Sequence, residues 1–156
     1  MLELIENPIE GVFDLRHLCL IHGYLFQDVY EWAGQLRTVD VSRGDSRFAN
    51  FSLIEDYLGK QLRGLEVENF LHGMEPDNFV ERLAHYMSEI NAAHPFREGN
   101  GRVQRLFCAQ LADQAGYFID FETVGQSDMY AVMIASFNGN NAPLMKLLNQ
   151  VTAIIE

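Results

Sequence analysis

The stretch His94-Pro95-Phe96-Arg97-Glu98-Gly99-Asn100-Gly101-Arg102, with Arg105 just beyond it, holds more reactive chemistry than a connector between helices needs. Pro95 disfavours the α region for its predecessor, which places His94 where a preceding helix is released. Gly99 and Gly101 leave backbone amides uncovered as a new helix begins, and free amides at a positive helix end suit phosphates. Arg102 and Arg105, three apart, share one helix face and can reach the same polyphosphate. Glu98 amid these cations fits a Mg²⁺ ligand, since Mg²⁺ typically combines one or two carboxylates with substrate phosphates. His94 adds a base that is partly neutral near neutral pH. A plainer reading uses the same residues, because Gly-Asn-Gly is a common turn and arginines on helix faces are usually solvated. Neither a Walker loop nor a Gly-x-Gly-x-x-Gly dinucleotide turn is present. The residues by themselves leave both readings open.

The elements that must position this stretch are mostly helical. Apolar residues at spacings of three and four predict a helix from about Phe13 to Trp32, with Gly34 as a left-handed cap past its end. Glu75-Pro76-Asp77 opens another helix, with Phe79, Leu83, Met87 and Ile90 as its core stripe. A third runs from Gly101 to Ala115 and stops at Gly116. Further helices are expected over Ser52 to about Val67, Ser127 to Phe137, and Ala142 to about Ile155. The exception is Leu36 to Phe51, where Thr38-Val39-Asp40-Val41 is extended, Arg43 to Ser46 is turn chemistry, and Arg47 to Phe51 returns as a second strand. The expected architecture is all-α, a helical bundle with one short β-hairpin, in a single domain over residues 1–156.

Composition narrows the classes. The chain has 156 residues, 48% hydrophobic and 21% charged, enough for one core and too apolar for a disordered tail. Its longest apolar runs, such as Val132 to Ala135, fall far short of the roughly 20 residues that span a bilayer. A net charge of −11 repels nucleic acid and anionic lipid, so neither is expected as a partner. Met1 to Glu6 carries acids where a signal peptide needs basic residues, and Cys19 and Cys108 read as buried free thiols in a reducing, cytoplasmic setting.

The stretch from His94 to Arg105 resembles the signature of the Fic family, His-x-Phe-x-Asp/Glu-Gly-Asn-Gly-Arg-x-x-Arg, with every specified position filled. The likeness covers nearly the whole chain, since Leu36 to Phe51 is similar to the Fic flap. That flap holds a target peptide as an added strand, here through Thr38, Val39, Asp40, Val41, Phe48 and Ala49. The resemblance implies a protein adenylyltransferase that uses ATP and Mg²⁺ to attach AMP to a Ser, Thr or Tyr hydroxyl of another protein. His94 would be the general base and Phe96 the buried anchor of the loop. Glu98 would hold Mg²⁺, and Gly99, Asn100 and Gly101 would cradle the phosphates, with the Asn100 side chain on the α-phosphate. Arg102 would meet the β-phosphate and Arg105 the γ-phosphate. Tyr130 and Asn138 lie where the family builds its adenine pocket, although packing and turn formation explain them as well. Doc, a kinase relative, has lysine in place of Gly101 and lacks the Glu98-Gly99 pair, so Gly101 favours AMP transfer.

The resemblance also bears on regulation. Many Fic enzymes are silenced by a helix carrying Ser/Thr-x-x-x-Glu-Gly/Asn, whose glutamate pairs with the second motif arginine, here Arg105. Thr152 to Glu156 fits the first five positions, but these residues read more simply as the end of the last core helix. The expected inhibitor is therefore a separate small antitoxin, and the chain a toxin whose target would be DNA gyrase or topoisomerase IV. The alternatives are the catalytic domain of a secreted host-directed effector, or a nucleotide-binding module without turnover. His17, His22, His72 and His85 share no ligand spacing and read as satisfied core or surface residues.

Overall fold

In the computed structural model, which describes residues 7–156, six α-helices build the body. The acidic stretch Met1 to Glu6 lies outside the described residues. The helices are α1 (Leu15–Phe26), α2 (Ile54–Val67), α3 (Pro76–Ala93), α4 (Asn100–Gln114), α5 (Gln126–Phe137) and α6 (Ala142–Val151). α3 is central and packs against α2, α4, α5 and α6. Its start follows the sequence: Glu75 is the N-cap, Pro76 opens the first turn and Asp77 sits at the positive dipole end. Phe79, Leu83, Met87 and Ile90 are all buried along it, facing Val103, Leu106, Phe107 and Leu111 of α4 across one continuous core. None of the described helices is long and apolar enough to cross a membrane.

Three expectations need correction. The first helix ends at Phe26, and turns carry the chain on to Gly34. Gly34 is left-handed (φ +82°), yet it caps no helix: a Cβ there would lie 3.3 Å from both the Cys19 carbonyl oxygen and Gly23 Cα. The left-handed backbone, together with a tight approach of neighbouring backbone, favours glycine there.

The flap hairpin is also shorter than expected and lies nearer the turn. Its strands are β1 (Ser42–Arg43) and β2 (Ser46–Arg47), antiparallel around Gly44-Asp45, with Gly44 at φ +58° as a tight hairpin turn wants. Thr38 to Val41 and Phe48 to Phe51 are not ladder strands beyond one Phe48 N–H to Val41 carbonyl bond of 3.3 Å. Side chains bridge them instead: the Asp40 carboxylate accepts the Phe51 N–H at 2.8 Å, and Arg37 donates to both limbs. Such side-chain bonds compete with a backbone ladder.

The last helix stops at Val151, and Thr152–Ile154 turns into β4, which pairs antiparallel with β3 (Tyr117–Ile119). The body is thus helical with two small two-stranded sheets among the described residues, where the sequence suggested one. Cys108 is buried and Cys19 only partly so; both are free thiols.

Candidate active site

The motif loop hangs between the C-terminal end of α3 and the N-terminal end of α4. Its first residue, His94, is left-handed (φ 47°, ψ 63°), and its N–H closes α3 by donating to the Ile90 carbonyl at 2.9 Å. A histidine held there is strained by roughly 1–3 kcal/mol, so the surrounding structure must over-determine it. Phe48 of the flap lies flat on the imidazole, with ring centroids 3.8 Å apart. Burial, then the nearby Arg37 and Arg43 cations, push its pKa down to about 4, so the ring is neutral at neutral pH.

The loop is locked from inside. Phe96 is fully buried, and the Asn100 side chain closes the turn by accepting the Phe96 N–H at 2.9 Å and donating to the Phe96 carbonyl at 2.6 Å. Any contact of the Asn100 amide with a phosphate must therefore use its second amide hydrogen. His22 of α1 stacks on Phe96 at 4.0 Å and accepts the Gly34 N–H on Nδ1 at 2.9 Å. That fixes its tautomer, so Nε2–H donates to the Glu98 carbonyl at 3.0 Å. Burial lowers the His22 pKa and keeps this arrangement uncharged. The reading of His22 as a satisfied core residue fits, but its support of the loop was not visible in the sequence. Only its contacts with Phe96 and with Glu98, 76 residues away in the chain, reveal it.

Beyond the lock, the loop leads into the positive end of α4, which carries Arg102 and Arg105. Gly99 is the left-handed N-cap of α4 (φ +83°), and a Cβ there would sit 2.4 Å from the Phe26 ring. Among the described residues no side chain caps the helix, which leaves its first-turn amides at the positive dipole end without a side-chain partner. Gly101 and Arg102 are exposed and Arg105 is half-buried. Burial and the Arg102 charge lower the Arg105 pKa, and among the described residues neither guanidinium has a carboxylate within ion-pair distance. Two like charges left unpaired beside free amides favour a polyanion. Glu98 is exposed on the same loop, and no cluster of three or more metal-ligating side chains occurs among the described residues. A Mg²⁺ at Glu98 would thus complete its shell with nucleotide oxygens and water, as that ion commonly does.

Tyr130 and Asn138 of the α5 region line one pocket of about 340 Å³ together with Ile134 and the hairpin residues Arg43, Gly44, Asp45 and Ser46. The Arg43 guanidinium lies 4.6 Å over the Tyr130 ring. On the flap, Thr38, Val39 and Asp40 are exposed, Val41 and Ala49 are half-buried, and the Ala49 N–H donates to the Ala92 carbonyl at 3.3 Å. Arg37, which no sequence pattern singled out, is 2% exposed and joins the flap to this site.

The Fic/DOC family pattern matches residues 12–112. The chain is 44% identical over 148 residues to Protein adenylyltransferase VbhT of Bartonella schoenbuchensis, which covers 95% of this chain and 31% of that protein. It is 50% identical over 110 residues to Probable protein adenylyltransferase Fic of Salmonella typhimurium, covering 70% of this chain and 55% of that one. The chain therefore spans only part of the length of these curated relatives. Its fold is similar to the N-terminal Fic domain of a VirB-translocated Bep effector protein from Bartonella quintana with bound ADP. There the TM-score is 0.91 at 31% identity, over 99% of this chain and 80% of that one. BepC from Bartonella tribocorum with bound AMPPNP gives 0.88 at 29% identity, over 99% and 82%. The matched residues take in the flap, α3, the motif loop and nearly all of α4, and the chain belongs to the Fic/DOC family.

Proposed function

We propose that the chain transfers AMP from ATP to a hydroxyl side chain of a target protein and releases pyrophosphate. The observation that carries this reading is a neutral, flap-covered His94 at one end of the loop and, on the uncapped helix at its other end, Arg102 and Arg105 without a carboxylate partner among the described residues. Relatives named as protein adenylyltransferases, and similar structures with bound ADP or AMPPNP, support it. In this reading the target hydroxyl gives its proton to His94 as its oxygen bonds to the α-phosphorus. The bond from that phosphorus to the bridging oxygen breaks, and pyrophosphate departs toward Arg102 and Arg105. A pKa near 4 makes His94 a weak base without nucleotide; a polyanion bound beside it would raise its proton affinity. Gly99, Gly101 and the first-turn amides of α4 hold the phosphates, while Asn100 and Phe96 keep the loop in shape. Glu98 would hold Mg²⁺, which neutralises phosphate charge as the leaving group forms. Tyr130 and Asn138 would flank the adenine, and the flap residues Thr38 to Val41 with Phe48 and Ala49 would hold the target strand.

The biological reading is a cytoplasmic toxin acting on DNA gyrase or topoisomerase IV and silenced by a small antitoxin bearing Ser/Thr-x-x-x-Glu-Gly/Asn. A second reading, the catalytic part of a secreted effector, draws on the Bartonella effector domains whose fold is so similar. Incubation with Mg²⁺ and α-labelled ATP should label protein with the mass of AMP, while γ-labelled ATP should not. Glu98→Ala or chelation of Mg²⁺ should abolish the label. Label from the γ-position alone would mean a reversed nucleotide. ATP binding without label from either would leave only a binding module.

A further inference from the structure

Arg37 is an unusual buried cation. Its side chain is shut away from water, and the nearest carboxylate among the described residues, Asp40, stands 3.8 Å off with 47% of its own side chain exposed. Burial lowers the Arg37 pKa, and Asp40 offsets that only in part. The guanidinium is satisfied mainly by backbone carbonyls. Nε donates to His94 at 2.7 Å, Nη1 to Val39 at 2.7 Å, and Nη2 to Ala93 at 3.0 Å and to Ala49. Its own backbone N–H donates to the Pro95 carbonyl at 2.9 Å.

These acceptors fall into two groups. Ala93 and His94 close the C-terminal end of α3, where helix carbonyls lack partners and the dipole end attracts a cation. Val39 and Ala49 belong to the two opposite limbs of the flap. The β1–β2 ladder has only two residue pairs, too few to hold a hairpin by itself in water. One planar fork therefore ties both limbs of the flap to the residue that carries the imidazole, and it does so through the carbonyl of His94 itself. Arg37 has no hydrogen bond to the Gly99-to-Arg105 face, so its role is separable from nucleotide binding.

We propose that Arg37 is a positioning residue for the transfer step, setting the flap at a fixed register to His94 so that a hydroxyl delivered along the flap meets the base. This rests on the reading above, in which His94 accepts the proton and the flap docks the target. A misplacement of about 1 Å in such a geometry costs on the order of 10²-fold in rate. A lysine, with one compact ammonium, cannot span four carbonyls on two elements.

The test compares wild type, Arg37→Lys and Arg37→Met in three measurements. These are labelling of bacterial lysate proteins from saturating α-labelled Mg-ATP, calorimetric binding of Mg-AMPPNP, and hydrogen exchange of backbone amides. Arg37→Met should lose labelling by roughly 10-fold to 10²-fold while AMPPNP affinity stays within about 3-fold. Flap amides should lose protection while α4 amides keep it, and Arg37→Lys should recover part of both signals. Labelling at the wild-type rate in both variants would overturn the proposal. So would joint loss of AMPPNP binding and α4 protection, the mark of a merely structural role. If Arg37→Met does not fold, Arg37→Lys carries the same comparison with a smaller effect. A wild type that labels nothing would sink the transfer reading instead, and flap exchange in Arg37→Lys would then decide alone: unchanged protection rejects the clamp.

Discussion

At its N-terminal end α4 begins on a left-handed Gly99 (φ +83°), and just beyond its C-terminal end stands a left-handed Gly116 (φ +92°), yet the two ends are finished in opposite ways. At the C-terminal end the Ala115 N–H donates to Leu111 and Ala112, the Gly116 N–H to Asp113, and the Gly116 carbonyl accepts the Ile155 N–H at 3.0 Å. The β3–β4 pair then continues from it. At the N-terminal end, among the described residues, no side chain caps the amides, and Arg102 and Arg105 stand without carboxylate partners. A folded chain normally pairs its half-buried polar groups, so a half-buried Arg105 without a carboxylate partner among the described residues is available to an anion from outside the fold, as the proposed function requires. The same helix thus has one terminus closed by backbone pairing and one left open, the end where the proposed function places the phosphates.

The contrast is tested most severely at His94, beside the unpaired end. His94→Ala should keep the fold and nucleotide binding while cutting α-labelled transfer by on the order of 10²-fold or more, the range of a general base. Near-normal transfer by the alanine variant would remove His94 from the chemistry.

The pH dependence sharpens the same point. The folded His94 pKa is about 4 against an ordinary 6.5, so the unfolded chain takes up the proton first on acidification. Stability should be fully present above pH 6.5 and decline as the pH falls toward about 4, with the lowered pKa values of His17 and His22 acting in the same direction. An NMR titration of the chain without nucleotide should find the His94 ring neutral well below pH 6; a midpoint near 6.5 would contradict the burial described above.

Substituting the two glycines compares the helix ends directly. Alanine at Gly99 must adopt a left-handed backbone and press into the Phe26 ring, together roughly 2–5 kcal/mol. That is a large share of a total stability of about 5–15 kcal/mol, and the proposed nucleotide face would be distorted too. Alanine at Gly116 meets nothing within 4 Å and bears only the backbone term, about 1–2 kcal/mol. Thermal melts with and without Mg-ATP should show ligand stabilisation kept in Gly116→Ala and diminished in Gly99→Ala. Equal loss in both would mean that the phosphates do not sit on this end.

The sequence made the helices and the loop legible for a local reason. Stripes such as Phe79, Leu83, Met87 and Ile90 repeat at helical spacing, and Pro76 and Gly116 mark ends within one or two residues. The loop carried its own signature from His94 to Arg105. What stayed hidden depends on distant partners. β3 is three residues long, and β4 continues an apolar stripe (Leu144, Leu147, Leu148, Val151) that reads as more helix. Only the pairing of Tyr117 with Ile154 tells it apart from one. His22 and Arg37 look ordinary in the chain, and each is tied to the motif loop or the end of α3 by carbonyls 56 or more residues away.

The smallest effect expected is none, at Glu156. Thr152 to Glu156 has the spacing of an inhibitory stretch whose glutamate would pair with Arg105, but Thr152–Ile154 is a strand. Its continuation is pinned at the wrong end of α4, since the Ile155 N–H donates to the Gly116 carbonyl. Arg105 lies in the second turn of α4, on the order of 15 Å back along the axis at 1.5 Å per residue. With the strand paired as it is, Glu156 cannot serve as that glutamate within its own chain. Glu156→Gly should therefore leave α-labelled transfer within about 2-fold of wild type, too small a change to signal release of a charge-paired inhibitor. Strong activation by Glu156→Gly would show that β4 unpairs in solution and that the two ends of α4 communicate through the tail.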